Sequence, residues 1–160
     1  MLFGFGKSAL PVIRPLRLDK VNDCARLHAA DFAHPWSPHE IAALIARSTT
    51  LGAAALDPAS GDLRGFVLSR LAADEAEILT IAVESGSRGR GVGRGLLAET
   101  LRQAANAGAR AMFLEVDENN APARALYERF GFVKVGERGG YYRLKDGSRA
   151  TAVVMRKILQ

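Results

Sequence analysis

The segment EILTIAVESGSRGRGVGRGLLAETL, Glu77 to Leu101, decides how this chain folds. EILTIAV is an apolar run that fits a buried strand. It leads into RGRGVGRG, where arginine and glycine alternate from Arg88 to Gly95. Behind it Val92, Leu96, Leu97, Leu101 and Ala104 mark one face of a helix that ends near Gly108. AMFLEV, residues 111–116, then reads as a second buried strand. A strand, a crossover helix and another strand form a βαβ unit, so EILTIAV and AMFLEV are expected to lie parallel.

Working outward, PVIRPLRL at 11–18 alternates like a strand, with Pro15 marking an edge position or a break. Val21, Cys24, Leu27 and Ala30 recur at helical spacing between Asp19 and Phe32. HPWSPHE then breaks and restarts the chain: Ser37 suits an N-cap, Pro38 the first helical position, and Glu40 completes a capping box. LGAAAL, GFVLSRL and EAEILTIAV read as three strands joined by DPASGD and AADE, an antiparallel meander. NNAPARALYERFGF is a short helix with Pro122 near its start and Gly131 as its stop. Two last strands, FVKVGERG and ATAVVMRKI, bracket a loop YYRLKDGSR. The expected fold is α/β: a mixed, mostly antiparallel sheet with one central parallel pair and helices on both faces.

A chain of 160 residues, 48% hydrophobic and 24% charged, is sized for one domain and is not composed like a disordered protein. Its formal net charge of +5 favours anionic partners, among them nucleic acid, ribosome, membrane surface and polyphosphate cofactors, without choosing between them. Cys24 is the only cysteine, which excludes an intrachain disulfide and a Cys-rich zinc site; its periodic setting reads as core. His28, His34 and His39 lack metal-type spacing and read as structural or solvent-facing. MLFGFGKSALPVI has no signal-peptide core and no long membrane span follows, so a cytoplasmic protein is expected. GFGKS near the start is not a Walker loop, because the required first glycine falls on Met1 and no strand precedes it.

The glycine run has four readings. A disordered arginine-glycine tail is excluded by the strong strand and helix that flank it. A dinucleotide fingerprint needs G-x-G-x-x-G, whereas Gly89, Gly91, Gly93 and Gly95 give G-x-G-x-G-x-G, and no acidic residue closes a second strand at the usual distance to hold a ribose, since Glu115 near the end of AMFLEV is followed by a different motif. An anion site survives: unblocked backbone N–H groups at the positive end of a helix, reinforced by Arg88, Arg90 and Arg94. A purely structural turn is the remaining alternative.

At this point the chain resembles the GCN5-related N-acetyltransferase (GNAT) superfamily, whose signature [R/Q]-x-x-G-x-[G/A] is matched by Arg88, Gly91 and Gly93. The likeness covers roughly residues 12 to 158. Within the superfamily it looks like the RimI-type ribosomal-protein alanine acetyltransferases, through HPWS at 34–37, EAEILTIAV at 75–83, FLEVDENNAPARALYERFGF at 113–132, GERGGYY at 136–142 and DGSRATAVVM at 146–155. ESGS replaces the commoner acidic-Pro pair after the strand, and two glycines precede Tyr141 and Tyr142.

The resemblance implies a GNAT fold with the parallel pair splayed at the cofactor site, formed by residues 11–160 after an N-terminal extension at 1–10. It implies acetyl-CoA as co-substrate and no metal. Ile81, Ala82 and Val83 would pair with the pantetheine arm. Gly89, Gly91, Val92 and Gly93, with Arg88, Arg90 and Arg94, would hold the pyrophosphate, and Asn120 would also touch the cofactor. Glu115 would be the general base and Tyr127 the general acid. On the residues alone, Glu115 ends an apolar strand, where a carboxylate is costly unless paired or facing a cleft, and Tyr127 is equally a packed aromatic. Phe32, Trp36, Tyr141 and Tyr142 are candidate walls of the acceptor groove, with core packing the alternative for each.

The implied substrate is a protein N-terminus, the alanine of ribosomal protein S18 foremost. Other amines, or a non-catalytic acyl-CoA-binding or ribosome-interacting module, are the rival readings. Direct nucleic-acid binding and membrane attachment are not expected, and a monomer or weak homodimer is.

Overall fold

The computed structural model describes residues 10–143 and 146–159, the side chains of residues 141–143 excepted. All but the last residue of the expected extension at 1–10, together with residues 144, 145 and 160, therefore lie outside the described residues. Seven strands form one sheet: β1 (Val12–Pro15), β2 (Thr50–Leu56), β3 (Leu63–Ala72), β4 (Glu75–Val83), β5 (Ala111–Asp117), β6 (Val133–Arg143) and β7 (Arg149–Ile158). Their spatial order is β1-β2-β3-β4-β5-β7-β6. All neighbours are antiparallel except β4 and β5.

Among the described residues four α-helices, α1 (Val21–Asp31), α2 (Pro38–Ile45), α3 (Val92–Asn106) and α4 (Ala121–Arg129), divide between the two faces. On one, Val92, Leu96, Leu97, Leu101 and Ala104 of α3 and Tyr127 of α4 pack on Val67, Ile78, Met112, Leu114, Val116 and Val153. On the other, Val21, Cys24 and Leu27 of α1 and Ile41 of α2 pack on Ala54, Phe66, Leu68 and Ala82. Burying a side chain of Leu, Ile or Phe size stabilises by about 1.5–3 kcal/mol, so each helix is held chiefly by its apolar stripe. The cap of α2 forms as its sequence dictates: the Ser37 hydroxyl accepts from the Glu40 N–H at 3.1 Å, and the Glu40 carboxylate accepts from the Ser37 N–H at 3.0 Å. Pro15 ends the edge strand β1, serving both as edge residue and as break.

The central parallel pair is short. β4 and β5 pair only at Glu75↔Ala111, Ala76↔Met112 and Glu77↔Phe113. Beyond that point β4 stays with β3 as far as Val83↔Gly65, and β5 stays with β7 as far as Asp117↔Ala152. The two strands thus separate while each keeps its outer partner. A bulge marks the parting: Leu68 faces Thr80 and Ser69 faces Ile78, leaving Leu79 with no partner on β3. An extra residue on one strand increases local twist and bends it away from its neighbour.

One expected boundary is corrected. Residues 141–143, read as the start of a loop, belong to β6, which pairs with β7 as far as Arg143↔Arg149. The register shifts between Arg138 and Tyr142, and Gly140 has φ +65°, so two glycines absorb an irregularity in an edge strand.

Candidate functional site

The opening between β4 and β5 is bordered by the candidate residues of these two strands. Ile81, Ala82 and Val83 pair with Val67, Phe66 and Gly65 of β3, and among the described residues no strand pairs with their other edge. The main chain there is exposed to an extended ligand in the manner of an unfilled strand position.

At the end of β4 the glycine run turns the chain into α3. Gly89 has φ +75° and Gly91, the N-cap, φ +80°, a left-handed conformation that a side chain would strain. No side chain caps α3. The N–H groups of its first turn, those of Val92, Gly93 and Arg94, have no partner within the helix and carry its positive end. Gly93 lies where α3 meets α4 and β4: a Cβ there would stand 3.4 Å from Leu126 Cδ2 and 3.9 Å from Val83 Cγ2. Arg90 and Arg94 are exposed. Asn120 caps α4, its Oδ1 accepting the Ala123 N–H at 3.3 Å.

Arg88 goes elsewhere. Its Nε donates to the Val83 carbonyl at 3.2 Å and its Nη2 pairs with Asp31 at 2.5 Å. The guanidinium therefore ties the end of β4 to the end of α1. A partner fifty-seven residues away in sequence left no local signal of this contact.

Glu115 and Tyr127 lie on opposite faces of the sheet. Leu114 and Val116, which flank Glu115 on β5, belong to the α3 core together with Tyr127. By strand alternation Glu115 points to the other face, beside Val154 of β7. Its side chain is 17% exposed and pairs with Arg138 of β6, Nε to Oε1 at 3.2 Å. The sequence reading missed Arg138, since its facing depends on a register shift between Lys134 and Gly136. Tyr127 is 5% exposed, meets Phe132 edge-on at 5.9 Å, and burial pushes its phenol up to about 12. It stays protonated and can donate throughout the physiological range.

The bend between α1 and α2 is built on His28. This ring is buried, stacked on Phe32 at 4.1 Å and on Trp36 at 4.7 Å, and its Nδ1 accepts the Trp36 N–H at 3.1 Å. Phe32 and Trp36 are thus half-buried members of one stack. Tyr142 pairs with Ala150 along the backbone, while the side chains of Tyr141 and Tyr142 lie outside the described residues. Cys24 is fully buried, and burial pushes its thiol up to about 12, which leaves it a core residue and no nucleophile.

Burial also holds His28 below its ordinary value of 6.5. The unfolded chain then takes up a proton near pH 6.5 that the folded chain refuses, so the stability from neutral His28 is complete above that pH and is lost as pH falls below it. Thermal melts from pH 7.5 to 5 are expected to show a decline of at most about 1.4 kcal/mol per pH unit below 6.5. In His28→Gln, which keeps an acceptor but cannot ionise, that part of the slope is expected to disappear; an unchanged slope would assign it to other groups.

Among the described residues no group of three or more His, Cys, Asp or Glu is placed to hold a metal ion, and no helix is long and apolar enough to cross a membrane.

Comparison with known proteins gives this geometry its setting. Residues 21–132 match the family model described as the acetyltransferase (GNAT) family. An uncharacterized protein of Mycobacterium leprae is 37% identical over 153 residues, 93% of this chain and 41% of that protein. The ribosomal protein bS18-alanine N-acetyltransferase of Escherichia coli is 35% identical over 96 residues, 60% of this chain and 64% of that enzyme. The chain thus spans less than two thirds of either relative's length. A crystal structure of the ribosomal-protein-S18-alanine N-acetyltransferase from Escherichia coli superposes with TM-score 0.83 at 28% identity, covering 93% of this chain and 94% of that one. The structure of Arabidopsis thaliana NAA60 in complex with acetyl-CoA shares the fold, with TM-score 0.81 at 21% identity over 92% of this chain and 98% of that one. With the splayed parallel pair, the glycine turn before α3 and a family match across more than half its length, the chain belongs to the acetyltransferase (GNAT) family.

Proposed function

We propose that this protein is an acetyl-CoA-dependent N-acetyltransferase that modifies a protein N-terminal amine, foremost the N-terminal alanine of ribosomal protein S18. The observation that carries the reading is the open main-chain edge of Ile81, Ala82 and Val83, with the uncapped start of α3 at its end and Glu115 across the gap. The likeness to the Escherichia coli bS18-alanine acetyltransferase supports the choice of acceptor.

The residues fit acetyl-CoA, which supplies the acetyl group as a thioester. The amides of Gly91, Val92, Gly93 and Arg94, with Arg90 and Arg94, suit the pyrophosphate. The free edge of β4 suits the amide-bearing pantetheine arm, and its amides near Val83 suit polarisation of the thioester carbonyl. Transfer is direct: the acceptor nitrogen bonds to the carbonyl carbon, the C–S bond breaks, Glu115 takes the proton released by nitrogen, and Tyr127 offers a proton to the departing thiolate. An α-amine titrates at about 7.7–8 against about 10.4 for a lysine side chain, so a carboxylate deprotonates the former with far less tuning.

A panel of acceptors tests the substrate: an alanine-first S18 peptide, the same peptide with a blocked amine and an internal lysine, and a small polyamine. Turnover is expected on the first. No turnover there, with turnover on either of the others, overturns the assignment. The loop has its own test. In Gly91→Ala the added Cβ meets nothing within 4 Å, so the folded state bears only left-handed strain, about 1–2 kcal/mol. The KM for acetyl-CoA is nevertheless expected to rise about tenfold or more, as one lost charge-assisted contact implies; an unchanged KM would remove the loop from the binding site.

A further inference from the structure

Arg138 has no part in the scheme proposed above, yet it pairs with Glu115. Glu115, Val154 and Gly136 lie side by side across β5, β7 and β6, and Asp117, Ala152 and Arg138 form the next row of the same face. Ala152 is small and Gly136 has no side chain, so the Arg138 side chain crosses low ground to reach Glu115 Oε1 at 3.2 Å. The guanidinium is 59% exposed and the carboxylate 17%, which places the pair at a surface that an acceptor can approach.

A carboxylate base for an amine faces a conflict. Standing alone in a half-buried site it favours the charged form of its neighbour, and so holds the acceptor as ammonium, which has no lone pair to attack with. A cation beside the carboxylate cancels that field while leaving it able to accept a proton. We propose that Arg138 is a positioning residue of the acceptor site, its guanidinium balancing the charge of Glu115 so that the acceptor binds as free amine and is not trapped as ammonium. Arginine suits the task because it does not lose its own charge at any working pH. This inference rests on the reading of Glu115 as the base.

Other charged groups nearby do not take its place. Asp117 accepts the Asn119 N–H at 2.8 Å. Arg156 stands beside Phe113, two residues along β7 from the partner of Glu115. Lys134 and Glu137 alternate to the opposite face and pair with each other at 2.9 Å. From the helical side, Asp31 is held by Arg88.

The test is steady-state kinetics with acetyl-CoA and an alanine-first peptide, on Arg138→Gln, Arg138→Lys and Glu115→Gln. In Arg138→Gln the peptide is expected to bind more tightly but unproductively: KM and kcat fall together by roughly tenfold, kcat/KM stays within about threefold, and the acid limb of kcat moves up by about one pH unit. Arg138→Lys, which keeps the charge, is expected to restore both constants and the limb. A raised or unchanged KM in Arg138→Gln, a lost kcat/KM, or a lysine variant no better than glutamine overturns the proposal. If Glu115→Gln keeps the parental kcat/KM, it is the base assignment itself that fails, and the proposal falls with it.

Discussion

Glu115→Gln is expected to lower kcat for an alanine-first peptide by roughly 10²-fold or more, within the usual range for loss of a general base. The amide is nearly isosteric and its oxygen can still accept from Arg138 Nε, so the cross-strand contact survives while the proton acceptor is lost. Position 115 lies on a strand paired along its whole length with β7, and its side chain is on the face away from the α3 core. The fold should therefore tolerate the change, with Tm within a few degrees of the parent. Binding of acetyl-CoA, which uses β4 and the glycine turn in this scheme, should be unaltered within about twofold. Steady-state kinetics with a titration of acetyl-CoA separates the two effects. A kcat within threefold of the parent would take the base role from Glu115.

Tyr127→Phe comes next in size. The ring is 5% exposed and packs edge-on against Phe132, so phenylalanine preserves the core and removes one hydroxyl. The thiol of the leaving coenzyme titrates at about 8.5, which makes thiolate a fair leaving group, and the phenol has only to donate to it. Roughly tenfold or more in kcat is expected, with the KM of both substrates little changed. Because burial pushes the phenol up to about 12, the parental enzyme should show no alkaline loss of rate from Tyr127 below pH 10. Equal kcat in the phenylalanine variant would leave Tyr127 as a packing residue only.

Much of this fold was legible because local chemistry and tertiary packing agree. The apolar stripe of α3, the Ser37–Glu40 box and the crossover that makes β4 and β5 parallel all follow from residue spacing, and all are present. Edge strand β1 ends at the proline that marked it. What spacing could not supply is set by bulges. The unpaired Leu79 bends β4 from β5, yet nothing in EILTIAV distinguishes a bulged residue from a paired one. The shift at Val135 puts Arg138 on the face of Glu115, and an unbroken β6 would have turned it away. Tyr141 to Arg143 read as loop after two glycines, because glycine is rare inside strands, but an edge strand tolerates Gly139 and Gly140 at an irregularity.

Contacts between distant segments were equally hidden. Arg88 was placed by its position in the glycine signature, and its guanidinium instead reaches Asp31 at the far end of α1. His28 carried no ligand spacing, and its part as the centre of the Phe32–Trp36 stack depends on how α1 and α2 meet. Glu115 and Tyr127 stood out in the sequence as a carboxylate and a phenol in apolar surroundings. That they lie on opposite faces of the sheet follows only from strand alternation in the folded sheet.

The most direct measurement is mass spectrometry of an alanine-first S18 peptide after incubation with the purified protein and acetyl-CoA, with fragmentation to locate the modification. The expected result is one acetyl group on the α-amine of the alanine, formed by the parent and nearly absent with Glu115→Gln. An unmodified N-terminus, or acetyl found only on lysine side chains, would contradict N-terminal acetylation as the activity of this site.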